Sequence, residues 1–156
     1  MSDQPETANV KVNDLRIYAM RLLARREYAV KELHGRLCTK WRGEQDISQL
    51  ADELVDDLVN EGSLSDERYV ASFVRSRLQR SQGPVKIRAE LRQRQLADSL
   101  IEQALDQGTE AWVELAAAWL GRQHSGKLEF EDRARFYRRL VNRGFSHEQA
   151  MSALDR

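Results

Sequence analysis

Apolar residues recur along this chain at intervals of three and four, and no stretch alternates apolar and polar with β-branched residues as a half-buried strand would. Over residues 14–25 the stripe is Leu15, Ala19, Leu22 and Leu23, and over 29–41 it is Val30, Leu33 and Leu37. Asp46 followed by Gln49 predicts a capping box for a helix carrying Leu50, Leu54, Val55 and Leu58, which Gly62 ends. Ser65 is the predicted cap of the next helix. Asp66 and Glu67 sit in its first turn, where the positive end of the helix dipole favours acids, and Tyr69, Val70, Phe73, Val74 and Leu78 form its buried stripe. Gly83-Pro84 breaks the chain, and proline, lacking an amide hydrogen, suits the first position of a new helix bearing Ile87 and Leu91. A short helix from Asp98 carries Leu100, Ile101, Ala104 and Leu105. Thr109 opens a helix with Trp112, Leu115, Ala116, Trp119 and Leu120 on one face. Phe136, Tyr137, Leu140 and Val141 mark another, ended by Gly144, and Ser146 with Gln149 predicts a capping box for the last, which bears Ala150, Ala153 and Leu154.

The pattern predicts an all-α protein of nine helices in three triplets. The expected organisation is a disordered N-terminal tail over 1–12, then three-helix modules over 13–62, 63–107 and 108–156. Sequence echoes support a repeat. Leu91-x-x-Arg94-x-Leu96 followed by Ala104-Leu105-Asp106 matches Leu140-x-x-Arg143-x-Phe145 followed by Ala153-Leu154-Asp155 at a constant offset. Leu58-Val59-Asn60-x-Gly62 also recurs as Leu140-Val141-Asn142-x-Gly144, which reports shared helix-ending chemistry. Tandem modules that bury their apolar faces against neighbours are expected to form an elongated, curved body suited to lying along a partner.

Charge changes this picture more than overall composition does. The 156 residues carry 25 basic and 25 acidic side chains, so the formal net charge is zero, yet the two signs are segregated. Between Glu44 and Glu67 there are nine acids and no Lys or Arg; between Arg68 and Arg94 there are eight cations, Arg68, Arg75, Arg77, Arg80, Lys86, Arg88, Arg92 and Arg94, against Glu90 alone. The 3.6 period spreads these cations over the faces not taken by Phe73, Ile87 and Leu91, so they are the candidate partner-binding residues for an anionic or mixed-charge macromolecule.

The remaining candidates carry less. Gly121-Arg122-Gln123-His124-Ser125-Gly126-Lys127 satisfies seven positions of a phosphate-binding P-loop, but Leu128 lacks the hydroxyl needed for magnesium and the preceding pattern is helical rather than a strand. Asp52, Glu53, Asp56 and Asp57 read as a solvated acidic face rather than a metal site. Trp112, Trp119, Phe136 and Tyr137 fall on apolar stripes and read as core, which leaves Tyr18, Tyr28 and Trp41 as the better base-stacking candidates. His34, His124 and His147 have no nucleophile or acid at motif spacing. The single cysteine, Cys38, fits a reducing cytoplasm and has no Cys-His signature around it. No catalytic residue, metal site or cofactor is expected, and the polar first ten residues and the lack of a long apolar run point away from a signal peptide or a membrane span.

Gly62-Ser63-Leu64-Ser65-Asp66-Glu67-Arg68-Tyr69, Phe73-Val74, Arg77, Gly83, Lys86-Ile87 and Glu90-Leu91 resemble the RecX regulators of the RecA recombinase. The pattern extends from about Leu22 to the C-terminus, and the segment from Gly62 to Leu96 carries most of it. The resemblance implies tandem three-helix modules that lodge in the groove of the RecA–DNA filament and lower recombinase, ATPase and coprotease activity, with consequences for DNA recombination, repair and the SOS response. RecA is then the expected partner, with single- or double-stranded DNA as a further one, and the alternative is a helical protein acting directly on nucleic acid. Three positions depart from the family pattern: Ser63, where a large apolar residue is usual; Gln95, where glycine is usual; and Tyr28-Ala29, where a hydroxyl cap is missing. If position 95 is left-handed, Gln there costs about 1 kcal/mol more than glycine.

Overall fold

A computed structural model describes the backbone of residues 5–156 and the side chains from residue 11 onward. Among the described residues there are nine helices and no strand: α1 (Pro5–Leu23), α2 (Val30–Lys40), α3 (Ile47–Asn60), α4 (Asp66–Gln79), α5 (Pro84–Gln93), α6 (Asp98–Leu105), α7 (Thr109–Gln123), α8 (Phe130–Asn142) and α9 (His147–Leu154). The all-α expectation therefore holds. Of the tail expected over 1–12, residues 1–4 lie outside the described ones, and α1 begins at Pro5, with no glycine or proline interrupting 6–23.

Residues up to Tyr69 form one compact unit and Val70–Arg156 a second. In the first, α1 packs on α2 and α3, and α2 packs on α3. Leu15, Ala19, Leu33, Leu37, Ala51 and Leu58 are wholly inaccessible to solvent there. Each buried leucine of this set contributes about 1.5–3 kcal/mol relative to an exposed one. In the second unit α5 packs on α6, while α9 lies against both α7 and α8 around Trp112, Ala116, Phe136, Leu140 and Phe145.

Helix ends show where local sequence rules suffice. Ser65 accepts from the Arg68 amide at 3.2 Å, and Ser146 and Gln149 form the reciprocal box at 3.1 and 2.9 Å. The box expected at Asp46 is absent. Asp46 precedes α3 in the left-handed region (φ 59°) rather than the extended one usual for a capping residue, its side chain makes no cap hydrogen bond, and Gln49 donates to Glu53. At Ala29 the missing hydroxyl cap is replaced from a distance: Asp66, 36 residues later, accepts from the Val30 amide at 2.8 Å. Gln95 is left-handed (φ 62°), at the position where the family pattern has glycine; its repeat counterpart Gly144 is left-handed as well (φ 98°), and Leu96 and Phe145 each bond back five residues to Leu91 and Leu140.

In the second unit the start of α5 meets the end of α8 backbone to backbone. The Gly83 amide donates to the Arg143 carbonyl at 2.8 Å and the Val85 amide to the Gly144 carbonyl at 2.9 Å. Orphan donors of one helix thus satisfy acceptors at the end of another, the positive end of one dipole meeting the negative end of the other. The approach leaves no room for side chains: a methyl group at Gly83 would lie 2.3 Å from the Gly144 carbonyl carbon, and one at Gly144 would lie 2.3 Å from the Lys86 Cβ.

Candidate functional site

The eight predicted cations divide by what meets them. Arg68 pairs with Glu27 at 3.1 Å, Arg77 with Glu90 at 3.0 Å, and Arg92 with Asp98 at 3.0 Å. Arg88 grips Glu102 through Nε and Nη2, at 2.6 and 3.2 Å. That two-point contact raises the Arg88 guanidinium above its ordinary value and lowers the Glu102 carboxyl, with the side-chain hydrogen bond as the largest cause of each shift. Arg94 lies over the Phe73 ring at 5.1 Å, on the face that Arg77 also covers at 4.1 Å. Arg75, Arg80 and Lys86 are exposed, and among the described residues no carboxylate pairs with them. Half of the predicted set is thus neutralised inside the chain, and the uncompensated charge narrows to the end of α4 and the start of α5.

That remainder is joined by cations not singled out from the sequence. An open cavity of about 460 Å³ in the second unit is lined by Arg80, Lys86, Arg139 and Arg143 with Trp119 and two amide side chains, Gln82 and Asn142. Arg143 donates to the carbonyls of Ser81, at 3.1 Å, and Arg80, while Arg122 donates to the Ser81 hydroxyl at 2.7 Å. Arg139 and Arg143 stand 5.0 and 4.8 Å from the Trp119 ring centroid. Burial, then the charges of Arg139 and Arg122, pull the Arg143 guanidinium below its ordinary value. The available signal was the echo pairing Arg94 with Arg143, since both cap a helix and both cover the aromatic of a preceding helix, Phe73 or Trp119.

Other candidates resolve simply. Tyr28 is 5% exposed beneath the Arg26 guanidinium, which lies 3.6 Å from its ring, so it offers no stacking face. Tyr18 and Trp41 meet edge to face at 5.4 Å under Lys40, half-buried against the first unit's core. Gly121 to Gln123 belong to the last turn of α7, so the P-loop-like fragment lacks its strand. The fold does gather three residues that motif spacing left apart: Cys38 Sγ lies 3.8 Å from His34 Nδ1, one helical turn away, and His34 Nε2 lies 2.8 Å from Asp52 Oδ1. Burial and the charge of Asp52 push the Cys38 thiol up, which disfavours the thiolate a nucleophile requires. Among the described residues no three or more His, Cys, Asp or Glu side chains, this trio included, are placed to hold a metal ion, and no described helix is long and apolar enough to cross a membrane.

The described residues are all helical or in turns and loops, with a set of cations that no carboxylate pairs. Residues 65–105 match the family model described as "RecX, second three-helix domain". The chain is 42% identical over 137 residues to a regulatory protein RecX of Chromohalobacter salexigens, covering 87% of this chain and 88% of that one. It is 35% identical to the counterpart in Halorhodospira halophila, covering 86% and 83%. The crystal structure of RecX from Lactobacillus salivarius superposes with a TM-score of 0.76 at 21% identity, covering 94% of this chain and 98% of that one. The chain belongs to the RecX family of regulatory proteins.

Proposed function

We propose that this chain binds the RecA–DNA filament and restrains it, lowering recombinase, ATPase and coprotease activities that reside in the partner. Family membership across most of the chain is the observation that carries this reading. It is supported by the position of Arg75, Arg80 and Lys86, which keep their charge available within the segment that matches the family's second three-helix domain. Of the remaining predicted cations, Arg77, Arg88 and Arg92 tie α4, α5 and α6 to one another through Glu90, Glu102 and Asp98, Arg94 covers Phe73, and Arg68 pairs with Glu27 within the first unit. The mechanism is steric and electrostatic: the chain occupies surface that neighbouring protomers or DNA would otherwise use, and it makes or breaks no covalent bond. ATP belongs to the recombinase, so the chain needs no cofactor of its own, and it acts in the cytoplasm where the filament assembles.

The test is a titration of this protein into RecA turning over ATP on single-stranded DNA. The reading predicts slowed hydrolysis at substoichiometric protein. Unchanged hydrolysis at an equimolar ratio would overturn it.

A further inference from the structure

Five cations of the second unit converge without a counter-charge. Arg80 and Lys86 flank the turn between α4 and α5, Arg139 and Arg143 end α8, and Arg122 reaches Ser81 beside them. Among the described residues none of the five is paired with a carboxylate, although ion pairs are frequent elsewhere on the chain. Their partners are neutral: Arg143 donates to two carbonyls, Arg122 to a hydroxyl and Arg139 to the Gln123 amide oxygen at 3.0 Å. Like charges gathered around one concavity repel, and the arrangement is held by Arg143's two backbone contacts and by the stacking of two guanidinium groups on Trp119.

A second sign comes from Gln82. Its Oε1 is buried and meets no donor, and the side chain lines the same cavity. Half a turn of the amide exchanges that oxygen for the NH₂ group, which would donate to an anion. Asn142 supplies a second amide at the wall. Guanidinium forks, an ammonium and amides around one opening match an anion with several equivalent oxygens and more than one unit of charge. Trp119, at 4% exposure, has no free face for a base, so contact would be with phosphate oxygens and independent of base identity.

We propose that this cavity is a phosphate-binding site in which Arg80, Lys86, Arg139 and Arg143 receive a phosphate oxyanion. Both the backbone of single-stranded nucleic acid and free polyphosphate carry that group. The site is a property of the chain alone, so its test contains no recombinase and stands apart from the proposed function.

The full chain is titrated with a labelled thymidine oligonucleotide of about 20 nucleotides by fluorescence anisotropy, and with inorganic pyrophosphate by calorimetry. Arg80→Gln/Lys86→Gln removes two cations that have no internal partner, and Arg42→Gln, an exposed cation of the first unit outside the predicted binding set, serves as a control. The double variant should bind at least tenfold more weakly with its melting temperature preserved. The slope of log affinity against log salt for the oligonucleotide should fall by about 1.4, from roughly 0.7 per lost contact on a single strand. Oligonucleotide displaced by pyrophosphate assigns the site to a backbone phosphate, and pyrophosphate binding alone assigns it to a free polyphosphate; either result upholds the site. No binding of either probe, equal binding by the double variant, equal loss in Arg42→Gln, or competition by a poly-glutamate peptide as strong as that of pyrophosphate overturns it.

Discussion

Replacing Gly83 by alanine tests how the start of α5 is joined to the end of α8. Gly83 has φ −85° and ψ 167°, which alanine adopts freely, so conformational strain is not at issue. By itself the change would stabilise the fold by about 0.4–1 kcal/mol through the unfolded chain. The added methyl, however, would lie 2.3 Å from the Gly144 carbonyl carbon and from the Phe145 nitrogen, and backbone cannot step aside as a side-chain tip can. Relief requires the two helix ends to part, which breaks the bonds from the Gly83 and Val85 amides. Each is worth about 1 kcal/mol net, and groups stranded away from water add about 1–3 kcal/mol more, so the expected net loss is about 3 kcal/mol. Urea unfolding followed by tryptophan fluorescence in a Trp41→Phe background reports this directly, because Trp112 and Trp119 then both lie in the second unit. Gly35→Ala, made in a chain that keeps Trp41 as the reporter of the first unit, provides the contrast: Gly35 is exposed in the interior of α2 with nothing within 4 Å of the new methyl, and the change should stabilise by up to about 1 kcal/mol. A loss below about 0.5 kcal/mol for Gly83→Ala would refute the close-packed junction.

Further outcomes follow from single contacts. Gln95→Gly relieves left-handed geometry (φ 62°) and should raise stability by about 0.5–1 kcal/mol in the same urea assay. Asp66→Ala removes the acceptor for the Val30 amide and should cost about 1–2 kcal/mol, with Asp66→Asn recovering most of it. The Glu102 carboxyl is lowered in the folded state by its bond to Arg88, so the stability it contributes is fully present above the unfolded value of about 4.3 and is lost as pH falls through the lower folded value. In an NMR titration Arg88→Gln should move the Glu102 midpoint back up, and the stability difference between variant and wild type should close in acid.

The helices were legible because amphipathic periodicity is local, and so were caps made by residues within one turn, as at Ser65 and Ser146. Asp46 misled because composition does not report φ; its backbone is left-handed where a capping residue is usually extended. Gln95 was legible only through the family pattern, which has glycine at that position. The expectation of eight open cations was limited by distance along the chain. Glu27 and Asp66 act on residues 41 and 36 positions away, and Glu102 reaches Arg88 from the next helix. Arg139 and Arg143 escaped notice because their segment also carries acids, Glu131 and Asp132, which lie in the first turn of α8 while the two cations lie at its other end, where the fold brings them to Arg80 and Lys86.

The central claim, that this chain works by docking on the recombinase filament, is tested most directly by sedimenting preformed RecA filaments on single-stranded DNA with this protein present. The account predicts saturable co-sedimentation of the wild-type chain and a clear loss of it for Arg75→Glu, which changes an exposed cation outside the phosphate cavity. Retention of the wild-type chain in the supernatant at equimolar filament would contradict it.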